Sequence, residues 1–181
     1  MAISAEDETG TFISIRSHPT LGLGGAWALE QNLSFAAGIG IFLALYTSNE
    51  FTTSSVLARL LGISQTDSNA ILYKINGYAP RLTRIEKIAE ERLPADIEFY
   101  RKFISEMRWF NDERNKYAHA HFLIGDTTGK VYRGLWATEE RKDTIWEEFP
   151  MSRLEKDVMR ARKFTAWVWQ EMQGKIPPGY L

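Results

Sequence analysis

Between about residues 95 and 120, the apolar side chains Tyr100, Phe103, Met107 and Phe110 step along the chain by three, four and three. That spacing traces one face of an α-helix and does not fit a strand, whose faces alternate every second residue. A helix marked in this way must bury its stripe, so the chain is constrained to pack other elements around it. Leu93-Pro94-Ala95-Asp96 supplies the start: proline suits the first turn, and Asp96 favours the positive end of the helix dipole. The next position on the stripe is Arg114, followed by Tyr117 and Ala118. A guanidinium therefore stands where a core residue is due. Buried alone it is costly, so it calls for an acidic or phosphate partner, a subunit interface, or a path to water at the helix end.

The rest of the chain reads as mainly helical. Residues 1–20 are polar without helical period and read as a mobile tail, with a short strand over Thr11–Arg16. After Gly22, Gly24 and Gly25 a long apolar helix is expected over about 26–47, broken by Ser48-Asn49-Glu50. Shorter helices follow over Ser54–Leu61, Thr66–Ile75 and about 80–92, with a turn at Asn76-Gly77. Beyond the stripe helix the pattern changes to a β-hairpin at about 122–137, turning through Asp126-Thr127-Thr128-Gly129, with a third strand near Thr144–Trp146. Ser152-Arg153-Leu154-Glu155 matches a capping box opening a last helix that runs to about Gln173. The expected architecture is one helical domain over 21–181 with a small hairpin inserted before the C-terminal helix.

Composition narrows the function. A chain of 181 residues with 13% aromatic residues and six tryptophans has the means to build a core. The absence of cysteine excludes a disulfide framework and a thiolate zinc site, and it suits a cytoplasmic protein, as does the acidic start Glu6-Asp7-Glu8 in place of a secretory signal. The apolar run Leu33–Tyr46 is 14 residues long, short of the roughly 20 needed to span a bilayer, so a buried helix is expected and no membrane partner. Net charge is −1, which excludes bulk polyanion binding. The charge is uneven: residues 1–50 hold one basic and five acidic side chains, residues 151–181 six basic and three acidic. The last helix thus presents a basic or simply solvated face.

The end of the stripe helix carries the chemistry. Residues 113–119 read Glu-Arg-Asn-Lys-Tyr-Ala-His, placing Arg114 and His119 five positions apart with Asn115 after the arginine. Arginine is a permanent cation that forks onto phosphate, and histidine exchanges a proton near neutral pH. Together they suffice to break a phosphodiester without a metal. Five helical steps turn about 140° and rise about 7.5 Å, so the two do not share one face. A compact site needs a second copy, and an antiparallel two-fold dimer would bring two arginines and two histidines together.

This R-N-x-x-A-H pattern, followed by a turn or strand, resembles the signature of HEPN-domain proteins. The resemblance implies an all-helical domain, a homodimer with its cleft at the interface, and metal-independent ribonuclease activity of the kind found in toxin–antitoxin and phage-defence systems. It further implies that Arg114 and His119 hold the defining positions, that Asn115 is the polar residue after the arginine, and that an antitoxin or other regulatory protein is a partner. The branch that reads R-x4-H-x-Y has a tyrosine where this chain has His121. Tyr117, Lys116 and His121 are the expected cleft residues, with Tyr117 equally at home in the core. No cofactor or metal is expected.

Three competing readings remain. His119-Ala120-His121 would share a face on a strand and ligate a metal, with Glu113 or Asp126 nearby in sequence. Leu57–Gln65 followed by a helix to about Lys74 resembles a DNA-binding helix-turn-helix at about 55–75. Ser68 stands there where an apolar residue is wanted, and the second helix carries little cation. The same helical dimer could also serve as a non-catalytic protein-interaction module. Trp109, Trp136, Trp146, Trp167 and Trp169 serve either as core or as stacking surfaces for RNA bases.

Overall fold

The computed structural model describes residues 12–13, 26–124, 130–135 and 145–173. Among them the chain is mainly helical, with a small antiparallel sheet before the C-terminal helix. In order, β1 (Phe12–Ile13) precedes α1 (Ala26–Gln31), α2 (Leu33–Leu61), α3 (Gln65–Tyr73), α4 (Tyr78–Arg92) and α5 (Ile97–His119). Then come β2 (His121–Ile124), β3 (Val131–Leu135), β4 (Ile145–Glu148) and α6 (Met151–Gln173). No described helix is long and apolar enough to cross a membrane. The expected hairpin turn at 126–129, the glycines at 22–25 and most of the N-terminal tail lie outside the described residues. Within that tail, Phe12 and Ile13 pair with Glu147 and Trp146 of β4.

Three helical boundaries differ from expectation, each for a local reason. The apolar helix begins twice, because Asn32 caps α2: its Oδ1 accepts from the Phe35 amide at 3.1 Å. It is not broken at Ser48-Asn49-Glu50. Polar side chains there turn back onto their own helix, Thr47 to the Leu43 carbonyl, Thr52 to Ser48 and Thr53 to Asn49, each at 3.0–3.1 Å. Asn49 is buried, and its amide donates to the Leu45 carbonyl at 2.8 Å and to the Thr165 hydroxyl at 2.7 Å. The last helix opens at Met151, with the Arg153 amide reaching the Pro150 carbonyl, so Ser152 lies inside the first turn and is not the cap.

The chain groups into two compact units, residues 1–41 with 115–158 and residues 42–114 with 159–181. The first is built on the sheet, ordered β1-β4-β3-β2 with every pairing antiparallel. Phe122, Arg133 and Glu147 stand opposite one another in the register and so share a face. Phe35 packs edge-on against Phe122 and Phe149. Arg133 is buried with Glu147 as its ion-pair partner, and its guanidinium lies 4.4 Å from the Phe149 ring centre. Gly134 lets Trp146 lie against the backbone, since a Cβ there would meet the indole at 2.9 Å.

The second unit buries the stripe. Tyr100, Phe103, Met107 and Phe110 are all fully covered. Phe110 meets Phe42, Tyr46 and Phe164 edge-on. α2 ends at Gly62 with φ +66°, the Ile63 amide bonding the Ala58 carbonyl and the Gly62 amide that of Arg59. This is a left-handed glycine cap. Ser64 then caps α3 by accepting from the Asp67 amide at 3.1 Å.

Phe35→Ala empties the aromatic centre of the first unit. It should cost about 3–5 kcal/mol, read as a lowered midpoint in urea unfolding.

Candidate functional site

The stripe carries Arg114 to the place where Tyr46 of α2 is buried. The Tyr46 ring is edge-on to Phe110 and to Tyr78 of α4, and its hydroxyl donates to Asn111 Oδ1 at 3.2 Å. One turn beyond Asn111, the Arg114 guanidinium lies 5.4 Å from the Tyr46 ring centre. Cation–π attraction at that distance contributes about 0.5–2 kcal/mol. Arg114 is half-buried, so the aromatic face meets part of the need that a charge on a core stripe creates.

Three phenols of the second unit are held neutral. Burial, reinforced by the Glu50 charge, pushes Tyr46 up to about 12, while Arg114 and Arg81 pull the other way. Tyr78 is raised as well, chiefly by burial, against the opposing hydrogen bond shared with the Thr53 hydroxyl at 2.8 Å. Tyr100 is raised by burial, with Arg59 opposing and Asp96 reinforcing. Tyr46 is not marked as a partner by any local pattern beyond its place at the polar end of an apolar run. The pairing needed the crossing of α2 and α5.

The last turns of α5 expose Asn115, Lys116 and His119. Tyr117 is buried: its hydroxyl donates to Asp157 Oδ2 at 2.7 Å and its ring packs edge-on against Phe149. Of its two expected places it takes the core. Such a tyrosine anchors α5 rather than contacting a ligand.

His119 ends α5, whereas His121 opens β2, exposed and opposite Gly134. The two histidines therefore do not sit on alternate positions of one strand, which removes the premise of the metal reading. No group of three or more metal-ligating side chains converges among the described residues, and Asp126 lies outside them.

Other polar and aromatic side chains of these helices resolve into packing. Glu106 is taken by Arg160, whose Nε and Nη2 each approach a carboxylate oxygen at 3.0 Å. Arg160 also covers Trp109 at 3.9 Å, so part of the basic face of α6 is engaged within the fold. Trp167 packs against Phe99 and Phe164 and is covered by Lys102. Trp169 is 42% exposed, and Trp136 lies outside the described residues. Ser68, out of place for a helix-turn-helix core, is fully buried and donates to the Ser54 carbonyl at 2.6 Å. The exposed positions of α3 include Asp67, Asn69, Ile71 and Tyr73, a poor surface for anchoring phosphates.

Comparison of the chain with family models, with curated proteins and with solved structures gives no match.

An alkaline titration followed by tyrosinate absorbance tests this geometry. Tyr46, Tyr78 and Tyr100 should ionise above the ordinary phenol value of about 10. Because their folded values are raised, the stability they confer is complete below about pH 10. It falls as pH climbs from there through about 12, where unfolded phenols ionise and Tyr46 resists. Arg114→Gln should move the Tyr46 step further up, since the guanidinium now opposes the rise.

Proposed function

We propose that the chain is a metal-independent endoribonuclease of the HEPN type, acting as a homodimer, with the role of a toxin or defence effector. The observation that carries this reading is α5. It runs unbroken from Ile97 to His119, holds Arg114 on its buried stripe, and leaves Asn115, Lys116 and His119 exposed on its last turns. The mainly helical architecture with a sheet directly after the motif agrees with the same reading.

In the proposed reaction a ribose 2′-hydroxyl attacks the adjacent phosphorus and the 5′-oxygen leaves. His119 removes the 2′ proton or protonates the leaving oxygen, and the partner's His119 takes the complementary role. Arg114 stabilises charge on the phosphorane-like transition state. Asn115 positions a phosphate oxygen or orients His119. Lys116 and His121 supply further contacts to the strand. Helix geometry supports the two-fold arrangement: Arg114 and His119 of one α5 point about 140° apart, so a compact site draws on a second copy.

The test is incubation of the purified protein with end-labelled RNA in excess chelator. Wild type should cut RNA and leave 2′,3′-cyclic phosphate ends, while DNA resists for want of the nucleophile. His119→Ala should lose about 10²–10⁴-fold in rate, the usual share of general acid–base catalysis. Arg114→Gln should lose about 10²–10³-fold, as when a transition-state donor is removed. Equal cleavage by wild type and His119→Ala would overturn the assignment. No cleavage of several RNAs by any form would leave the non-catalytic interaction module as the better account.

A further inference from the structure

A pocket of about 370 Å³ opens between α2, α3 and α4 within the second unit, inside the range of roughly 300–1,000 Å³ usual for small-molecule sites. Glu50 and Phe51 come from α2, Asn69 and Tyr73 from α3, and Tyr78 and Arg81 from α4. Glu50 and Arg81 line the same space without forming an ion pair with each other. Arg81 is anchored through Nε, which donates to the Ile75 carbonyl at 3.1 Å, so its two terminal nitrogens remain for an acceptor. Among the described residues, no hydrogen bond engages the Glu50 carboxylate or the Asn69 amide. Two large aromatic rings stand at the pocket largely exposed, Phe51 at 63% and Tyr73 at 86%. Tyr78 forms a fixed wall, its hydroxyl tied to Thr53.

Each group states a demand. A carboxylate only accepts, and two adjacent N–H donors satisfy both its oxygens. A guanidinium with both terminal nitrogens available forks onto a phosphate. Exposed aromatic rings offer stacking faces for a flat heterocycle. Guanine presents N1–H and its 2-amino group side by side on the pairing edge. Adenine, cytosine and uracil offer no such pair of neighbouring donors there. We infer that this pocket is a guanosine-nucleotide site, in which Glu50 accepts from the guanine edge, Phe51 and Tyr73 hold the ring, and Arg81 binds phosphate. Asn69 supplies a further polar contact to the base or ribose. Tyr78 of the pocket wall packs edge-on against Tyr46, the ring that Arg114 approaches, but the inference rests on the pocket itself and not on RNA cleavage. The guanosine phosphate is either a free nucleotide or part of an RNA strand.

The experiment is calorimetric titration of the full chain with GMP, AMP, CMP and UMP, and with a short oligoribonucleotide containing one guanosine. No cleavage is read, so a chain without nuclease activity tests the pocket equally well. GMP should bind at least about tenfold tighter than the other mononucleotides, the discrimination that a two-point hydrogen bond provides. Glu50→Gln should abolish that preference, and Tyr73→Ala, at an exposed position that does not threaten folding, should weaken GMP binding. Tighter binding of the oligonucleotide than of GMP would assign the pocket to an RNA strand, and the reverse to a free nucleotide. The inference is overturned if neither GMP nor the oligonucleotide binds at millimolar concentration. It is equally overturned if Glu50→Gln, folded by circular dichroism, keeps the preference for GMP.

Discussion

Burial of the α5 stripe is the constraint on which the second unit depends. Four consecutive stripe residues, Tyr100, Phe103, Met107 and Phe110, are completely removed from water, which contributes roughly 1.5–3 kcal/mol for each large side chain. Such a stripe leaves little freedom of rotation about the helix axis, because a turn of the helix would trade rings for charges. With the rotation set, Asn111 and Arg114 are delivered together to Tyr46, one to its hydroxyl and the other to its ring. The position of the arginine is thus a by-product of hydrophobic packing, as is the raised ionisation of the phenol beneath it.

A second economy runs through α2. Its middle is polar enough to look like a loop, yet threonine and asparagine side chains bond to the carbonyl one turn back and keep the helix intact. Buried Asn49 then has a donor hydrogen left for Thr165 of α6. Polar residues in this helix therefore serve two purposes, satisfying their own groups and specifying which neighbour packs where. The same stretch supplies Glu50 and Phe51 to the pocket, so continuity of the helix is what places a carboxylate and an exposed ring side by side. A break at Ser48 would have dispersed both.

The proposed ribonuclease chemistry and the proposed nucleotide pocket stand on different observations. The first rests on a seven-residue pattern at the end of α5 and on the exposure of His119. The second rests on a carboxylate, a guanidinium and two exposed rings that three helices bring to one pocket. They are connected physically through Tyr46 and Tyr78, whose hydroxyls feel Arg81 and Glu50, and in the case of Tyr46 also Arg114.

Local spacing determined much of this protein by itself. The three-four-three step marked α5, the Asn-Gly signal placed the turn before α4, and the change of pattern after α5 marked the hairpin expected at about 122–137. Arg114 was legible as a charge on a core stripe, and Ser68 as a polar residue in an apolar place. Each of these signals lies within one or two helical turns, where covalent geometry alone decides which residues are neighbours. Only the tertiary structure decided what met them. Tyr46 beneath Arg114, Asp157 on Tyr117, Ser54 on Ser68, and the gathering of Glu50, Tyr73 and Arg81 around one pocket all join segments far apart in the chain. Such contacts depend on helix crossings, which hydrophobic burial sets collectively and no single stretch of sequence encodes.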